Sequence, residues 1–127
     1  MPRKSLAYAK MRKALLDEVA RIPPMHVVEF AAMGEALNIP ARHVAHILSA
    51  LTKDERLHLP WHRVVPRGGD FGPPGRRTVS RQQQIDQLRS EGHDVVNDRY
   101  LDLNTLTAWC PSEEFKDVFW ADLGDDD

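Results

Sequence analysis

The side chains able to bind a metal or act as a nucleophile include six histidines and one cysteine. Neither a Cys-x-x-Cys nor a His-Glu-x-x-His motif occurs, and Pro60 between His58 and His62 prevents those two from sharing a helical turn. Cys110 precedes Pro111 and has no base beside it in sequence to activate its thiol. We therefore expect no metal site, no cofactor and no catalytic cysteine, and a single cysteine excludes an internal disulfide.

Short motifs of distinctive composition follow one another along residues 6–109. They are Ile22-Pro23, Pro40-Ala41-Arg42-His43-Val44, Pro60-Trp61-His62-Arg63-Val64-Val65, Arg81-Gln82-Gln83-Gln84, Leu88, Glu91-Gly92, Asp102-Leu103 and Trp109. In this order they resemble the O6-alkylguanine-DNA alkyltransferases, whose active-site segment reads Pro-Cys-His-Arg-Val. Trp61 stands at the place of the acceptor cysteine, as tryptophan does in the alkyltransferase-like proteins.

The exchange of cysteine for tryptophan changes the chemistry that this segment can perform. A thiolate attacks an alkyl carbon and keeps the alkyl group, whereas an indole offers one N–H donor, no accessible basic lone pair and a broad apolar face. The resemblance therefore implies a protein that is not an enzyme. It also implies a retained pocket for an alkylated base, with Trp61 as the wall that meets the alkyl group.

The resemblance implies, in addition, how this protein contacts double-stranded DNA. In the family the second helix of a helix-turn-helix enters the minor groove, and the target guanine rotates out of the stack into a pocket. Arg42 matches the arginine that fills the resulting gap, and small groove-facing residues permit close approach. The DNA-binding and base-flipping residues implied in this way are Phe30, Arg42, His43, Ala45, His46 and Ser49.

The pocket for the alkylated base is implied by the same resemblance. His62 and Glu91 match the groups that activate the thiol in the alkyltransferases, and without a thiol we expect them to hold the pocket by hydrogen bonds. Arg63 is expected to tie the loop rather than to touch DNA, and either Arg76 or Arg77 matches an arginine that closes over the base. The implied pocket residues are Pro60, Trp61, His62, Arg63, Val64, Arg76, Arg77 and Glu91.

Several positions depart from the family pattern. Phe30 replaces a tyrosine that presses on the target phosphate, so the ring is kept and its hydroxyl is lost. The turn before Arg42 is shorter than in the family, Ala45 replaces a glycine, and Lys53 replaces a hinge asparagine. These changes either weaken base flipping or alter the preferred lesion.

The hydrophobic pattern predicts a mainly α-helical fold. Apolar residues at helical spacing predict helices over residues 5–20, 27–37, 41–52 and 81–91. In the third of these, Val44, Ile47, Leu48 and Leu51 form the inward face. Together with the resemblance, this order predicts a winged helix-turn-helix domain similar to the C-terminal domain of the DNA alkyltransferases, with a small β wing.

Polar and glycine-rich segments predict where these helices begin and end. Ser5 and Ser80 are predicted N-caps, Ser80 as part of a capping box, and Gly92 is a predicted C-terminal stop. Residues 62–65 are predicted to form a strand. Gly68-Gly69 is predicted to turn the wing, with Arg76-Arg77 closing it.

Charge is distributed unevenly along the 127 residues. Residues 113–127 hold seven acids and one base, whereas the preceding residues carry 16 bases and 12 acids. We therefore predict a mildly basic DNA-binding domain over residues 1–109 and an acidic C-terminal extension over 110–127 that competes with DNA for the basic body. No apolar run reaches the roughly 18 residues of a membrane span. We expect no membrane partner, and a monomer in the cytoplasm that joins the nucleoid when bound to DNA.

Three functions compete for this sequence. The resemblance implies a sensor that flips O6-alkylguanine in duplex DNA and passes the site to nucleotide excision repair proteins. The alternative is a winged-helix transcriptional regulator that reads undamaged DNA, with His43 and His46 as the side chains that reach base edges. An enzyme that uses Cys110 as an alkyl acceptor is the third and weakest hypothesis.

Overall fold

The computed structural model describes residues 6–73, 79–102 and 107–120. Five α-helices occur in these ranges: α1 (Leu6–Ala20), α2 (Phe30–Leu37), α3 (Ala41–Ser49), α4 (Lys53–His58) and α5 (Val79–Ser90). The strands in the described ranges are β1 (His26–Glu29), β2 (Val64–Val65), β3 (Val95–Val96), β4 (Tyr100–Leu101) and β5 (Thr107–Ala108). They form one parallel sheet in the order β2-β1-β5 and one antiparallel pair, β3–β4. The predicted fold class, mainly helical with small sheets, is confirmed.

The main hydrophobic core lies among α1, α2 and α3. Leu15 and Val19 of α1, one helical turn apart, are fully buried and pack with Met33 and Leu37 of α2 and with Val44 of α3. All four residues of the predicted inward face are buried, although Leu51 lies beyond the end of α3. The predicted helix over 5–20 is present from Leu6, and the predicted cap Ser5 lies outside the described residues.

The prediction of one helix over residues 27–37 is wrong in its first turn. His26–Glu29 is instead the central strand of the parallel sheet, paired through Val28 to Val64 and through Val27 to Ala108. Val27 and Val28 are both buried, because structure covers both faces of this strand. The pairing partners are remote in sequence, so the helical spacing from Phe30 onward obscured the strand that precedes it.

Helices α2 and α3 form the predicted helix-turn-helix. Asn38 adopts the left-handed conformation (φ 55°) that ends α2, and a Cβ at Gly34 would collide with the Ile39 carbonyl, so the glycine permits this tight turn. The prediction that α3 extends to residue 52 is wrong. Helix α3 ends at Ser49, and Thr52 opens α4 through a reciprocal capping box with Glu55.

The predicted strand over 62–65 is also shorter than expected. Trp61–Arg63 forms a 3-10 turn, and only Val64–Val65 is extended. Residues Arg67–Gly69 form a second 3-10 turn, in which Gly69 (φ 74°) packs directly against Leu101. Arg76 and Arg77, predicted to close a wing, lie outside the described residues.

Helix α5 carries the predicted inward residues Ile85 and Leu88, both fully buried. It includes Val79, so Ser80 lies within the helix and the predicted capping box at Ser80 is wrong. At the other end Gly92 has φ 96°, and the backbone N–H of the following His93 donates to the Leu88 carbonyl at 3.1 Å. This confirms the predicted C-terminal stop.

The described part of the C-terminal extension packs on the helical body. Trp120 is buried, and its indole N–H donates to the Leu37 carbonyl at 2.7 Å. The Ser112 N–H donates to Glu18, and Asn38 donates to the Val118 carbonyl. The division into 1–109 and 110–127 stays a prediction. In the described part of the chain, no helix has the length and apolar character needed to cross a membrane.

Candidate functional site

A cavity of about 260 Å³ opens beside the outer face of α3. Ala45, Leu48 and Ser49 of α3 form one part of its wall, and Phe30 at the start of α2 forms another. Trp61 and Val64 of the central segment lie in the same wall. The helix-turn-helix and the segment of residues 60–65, which we call the central segment, meet at this cavity. It therefore brings together five residues from the predicted DNA-binding set and the predicted pocket set: Phe30, Ala45, Ser49, Trp61 and Val64.

Trp61 is held in the wall by the 3-10 turn that follows Pro60. Its side chain is buried, and its ring stands edge-on to the His62 ring, with centroids 6.5 Å apart. The guanidinium carbon of Arg56 lies 4.8 Å from the centroid of the Trp61 ring, within cation–π distance. Among the described residues the indole N–H has no hydrogen-bond partner. An indole in this position can stack or donate but cannot accept an alkyl group.

Two arginines of the cavity wall, Arg56 and Arg81, were not singled out as pocket residues by the sequence reasoning. Arg56, on α4, also donates to the Ser49 carbonyl at 3.1 Å. Arg81, on α5, donates to the carbonyls of Phe71 and Gly72 and to that of Asp98 at 2.6 Å. Arg81 stands in the Arg81-Gln82-Gln83-Gln84 motif, but nothing in the sequence marked either arginine as a pocket residue, because an arginine on a polar helix is usually solvated.

Behind Trp61, the next two residues of the turn bind Glu91. His62 Nε2 lies 2.6 Å from Glu91 Oε2, Arg63 Nη2 donates to the same oxygen at 2.7 Å, and Arg63 Nε donates to Oε1 at 3.1 Å. Arg63 Nη1 also donates to the Ile22 carbonyl at 2.8 Å. We call His62, Arg63 and Glu91 the Glu91 clasp. It ties the central turn to the end of α5 and to the segment after α1.

Burial and charge act in opposite directions on the pKa values of the clasp. Burial works to raise the pKa of Glu91, but the hydrogen bonds from Arg63 and His62 outweigh it and lower that pKa from 4.5 to about 2. Burial lowers the pKa of His62 below 6.5, against the raising effect of Glu91. The clasp therefore contains a carboxylate that stays ionised and a histidine whose Nε2–H donates to it without needing a full positive charge.

Gln84 connects α5 to the central segment from the cavity side. Its side-chain amide donates to the Val64 carbonyl at 2.7 Å and to the His62 carbonyl at 3.2 Å, and the residue is buried. Gln84 also lines the cavity. The position of Trp61 is thus fixed on one side by Gln84 and on the other by the Glu91 clasp.

The structure separates the remaining predicted pocket residues from the cavity. Pro60, His62 and Arg63 border a different surface depression, and Glu91 lies with them in the clasp. Arg76 and Arg77 are outside the described residues. The predicted DNA-contacting residues Arg42, His43 and His46 are exposed on α3, whereas Ala45 is half-buried at the cavity.

The six histidines and Cys110 all lie in the described ranges. No group of three or more histidine, cysteine, aspartate or glutamate side chains there could hold a metal ion. Cys110 is exposed and is not part of the cavity wall.

Residues 10–93 match the family model described as "6-O-methylguanine DNA methyltransferase, DNA binding domain". The chain belongs to this family. With tryptophan at position 61, it is of the alkyltransferase-like type. No curated protein matches the chain significantly.

Two solved structures from S. pombe share the fold of this family member. One is the crystal structure of Atl1 in complex with damaged DNA containing O6-carboxymethylguanine. It is 25% identical, with a TM-score of 0.68, and the match covers 81% of this chain and 97% of Atl1. The other is a crystal structure of ATL in complex with DNA, also 25% identical over the same shares, with a TM-score of 0.65.

Proposed function

We propose that this protein is a non-enzymatic sensor that binds duplex DNA, rotates an O6-alkylguanine out of the stack and holds it in the cavity against Trp61. The observation that carries the proposal is the position of this cavity, which opens at Ala45 and Ser49 of α3 and has Trp61 in its wall. The S. pombe Atl1 complex with damaged DNA supports the same use of the fold.

In this proposal three exposed residues of α3, and Phe30 at the start of α2, each have a role. Arg42, in the first turn of the helix, enters the stack that the base has left, since a guanidinium can both stack and donate to the orphaned base. His43 and His46 face the groove, and Phe30 presses on the backbone near the target through its ring alone. Rotating a base out of the stack costs a few kcal/mol. The cost is lower for a damaged, poorly paired base, and this difference by itself favours binding at the lesion.

The absence of catalysis is proposed on chemical grounds. Trp61 cannot accept an alkyl group, and Cys110 lies outside the cavity wall, so a transferred group has no acceptor at the bound base. We propose further that the bound monomer marks the lesion for nucleotide excision repair proteins and acts in the cytoplasm at the nucleoid.

The proposal is tested by binding to two duplexes that differ only in one O6-methylguanine or guanine, at one salt concentration. We expect clear preference for the lesion, loss of that preference in Arg42→Ala and Trp61→Ala, and no mass gain on the protein. Arg67→Ala, which removes an exposed arginine away from α3, is the matched control and should keep the preference.

Two results would reject the sensor. Equal binding to both duplexes, insensitive to Trp61→Ala, would favour the winged-helix regulator, because a reader of undamaged sequence does not use the cavity. A mass gain equal to one methyl group, abolished by Cys110→Ser, would favour the alkyl-acceptor enzyme.

A further inference from the structure

The charge of the cavity wall points to the kind of O6 substituent that it accepts. Arg56 and Arg81 are the charged residues of the described wall, and every other described residue that lines it is uncharged. An alkyl group bound to a purely apolar wall would be selected by shape alone. A wall with two guanidinium groups also selects by charge, because a cation in a partly desolvated cavity attracts an anion more strongly than it does in water.

Arg56 is held in the wall by neutral groups. Its Nη2 donates to the Ser49 carbonyl, and its guanidinium lies over the Trp61 ring. In the described part of the chain it forms no ion pair, in contrast to Arg63, which binds Glu91 at 2.7 Å. The positive charge of Arg56 is therefore not neutralised by a bound carboxylate.

Where Arg56 lies over the Trp61 ring, two buried donors have no hydrogen-bond partner among the described residues. They are Nη1 of Arg56 and Nε1 of Trp61. A buried donor without an acceptor costs free energy, and a ligand that supplies an acceptor with only a small side-chain adjustment recovers it. An ionised acceptor recovers more than a neutral one, because charge-assisted hydrogen bonds are about twice as strong.

We propose that the cavity prefers O6-guanine adducts that carry a negative charge, the simplest being a carboxylate on a short alkyl arm, and that Arg56 determines this preference. The inference rests on the proposed function, since it assigns a substrate class to the same cavity. Arg81 positions the facing wall by donating to the carbonyls of Phe71 and Gly72. Arg56 binds the carboxylate while it remains stacked on Trp61.

The test compares two adducts of the same shape and different charge. One duplex carries O6-carboxymethylguanine and the other carries its neutral amide, O6-carbamoylmethylguanine, with guanine and O6-methylguanine duplexes as references. Dissociation constants are measured at one ionic strength and neutral pH. We expect the carboxylate to bind about tenfold more tightly than the amide, as one charge-assisted hydrogen bond would give.

Three variants assign the preference to Arg56. Arg56→Gln should reduce the ratio between the two adducts to near one, whereas Arg56→Lys, which keeps the charge without the planar fork, should retain a preference of a few fold. Arg67→Gln removes the same charge at an exposed position outside the cavity wall, and it should leave the ratio unchanged. Circular dichroism establishes that each variant is folded.

The outcomes separate this inference from the proposed function. If both adducts bind better than guanine but equally to each other, the charge preference is wrong and the sensor stands. The charge preference is also wrong if Arg67→Gln lowers the ratio as much as Arg56→Gln, since the effect is then one of total charge. If O6-methylguanine alone binds better than guanine, the charge preference is wrong and the sensor stands. If none of the three adducts binds better than guanine, the sensor itself is wrong.

Discussion

The two sides of the Trp61-His62-Arg63 turn differ in how their polar atoms are paired. On the clasp side both carboxylate oxygens of Glu91 accept hydrogen bonds, from His62 and from Arg63, and only the second ring nitrogen of His62, Nδ1, is buried without a partner among the described residues. On the cavity side Trp61 Nε1 and Arg56 Nη1 are buried with no partner among the described residues. Buried polar groups that are paired fix a structure, whereas unpaired ones are costly unless a ligand completes them. From this difference we infer that the clasp stabilises the fold and that the cavity side binds a ligand.

The largest effect is expected where the clasp is broken. Glu91→Ala leaves the half-buried Arg63 and the buried His62 without their acceptor, and removing one partner of a partly buried ion pair costs roughly 3 kcal/mol. We expect the free energy of unfolding in urea to fall by about that amount. Glu35→Ala, at an exposed position of α2, is the control and should change it by less than about 0.5 kcal/mol. If Glu91→Ala changed the free energy of unfolding as little as the control does, the clasp would not stabilise the fold and the distinction between clasp side and cavity side would be lost.

The pH dependence of stability gives a second test of the clasp. Because the pKa of Glu91 falls from 4.5 to about 2 on folding, its contribution is complete above about pH 4.5 and is lost as the pH falls toward 2. Burial lowers the pKa of His62 in the folded protein. Below pH 6.5 the unfolded chain therefore binds a proton at His62 before the folded protein does, so acidification again favours unfolding. Acidification should therefore destabilise the protein in two steps.

Glu91→Gln separates the carboxylate from the histidine. It should be less stable than the parent at pH 7, and the gap should narrow as the pH falls from 5 toward 2, because the parent then also holds a neutral group at this position. The Glu55 carboxylate, with its pKa lowered to about 2 by Arg12, titrates equally in both proteins and cancels in the comparison. A gap that stays constant with pH would mean that the charge of Glu91 contributes nothing.

The clasp and the cavity also differ in how far the sequence could predict them. His62, Arg63 and Glu91 stand in recognisable motifs. His62 and Glu91, which are expected to hold the pocket by hydrogen bonds, are hydrogen-bonded to each other, and their role at the pocket stays a prediction. Arg56 enters the cavity only because α4 breaks from α3 at Thr52, and the capping box of Thr52 and Glu55 that signals this break was overlooked. A three-residue spacing of threonine and glutamate could have revealed the new helix, although not the contact of Arg56 with Trp61 across the turn.

Strand β1 was missed for a different reason. Its two partners, β2 and β5, lie more than 30 and 70 residues away in sequence, so no local pattern records their pairing. The two adjacent valines, Val27 and Val28, fit a short buried strand, but they also fit the start of the helix that follows. By contrast, the stop at Gly92 was predictable because the left-handed backbone that follows α5 favours glycine locally.

The smallest effect on stability is expected on the cavity side. Trp61→Phe keeps an aromatic face for Arg56 and removes an indole N–H that has no partner among the described residues, so no acceptor is orphaned. The smaller ring should cost about 1–2 kcal/mol of unfolding free energy, less than Glu91→Ala. The preference of this variant for O6-methylguanine over guanine should nevertheless decline, because the substitution changes the wall that we propose meets the alkyl group. If Trp61→Phe lost as much stability as Glu91→Ala and kept its lesion preference, Trp61 would be a residue that stabilises the fold. That result would contradict the division into a stabilising clasp side and a binding cavity side.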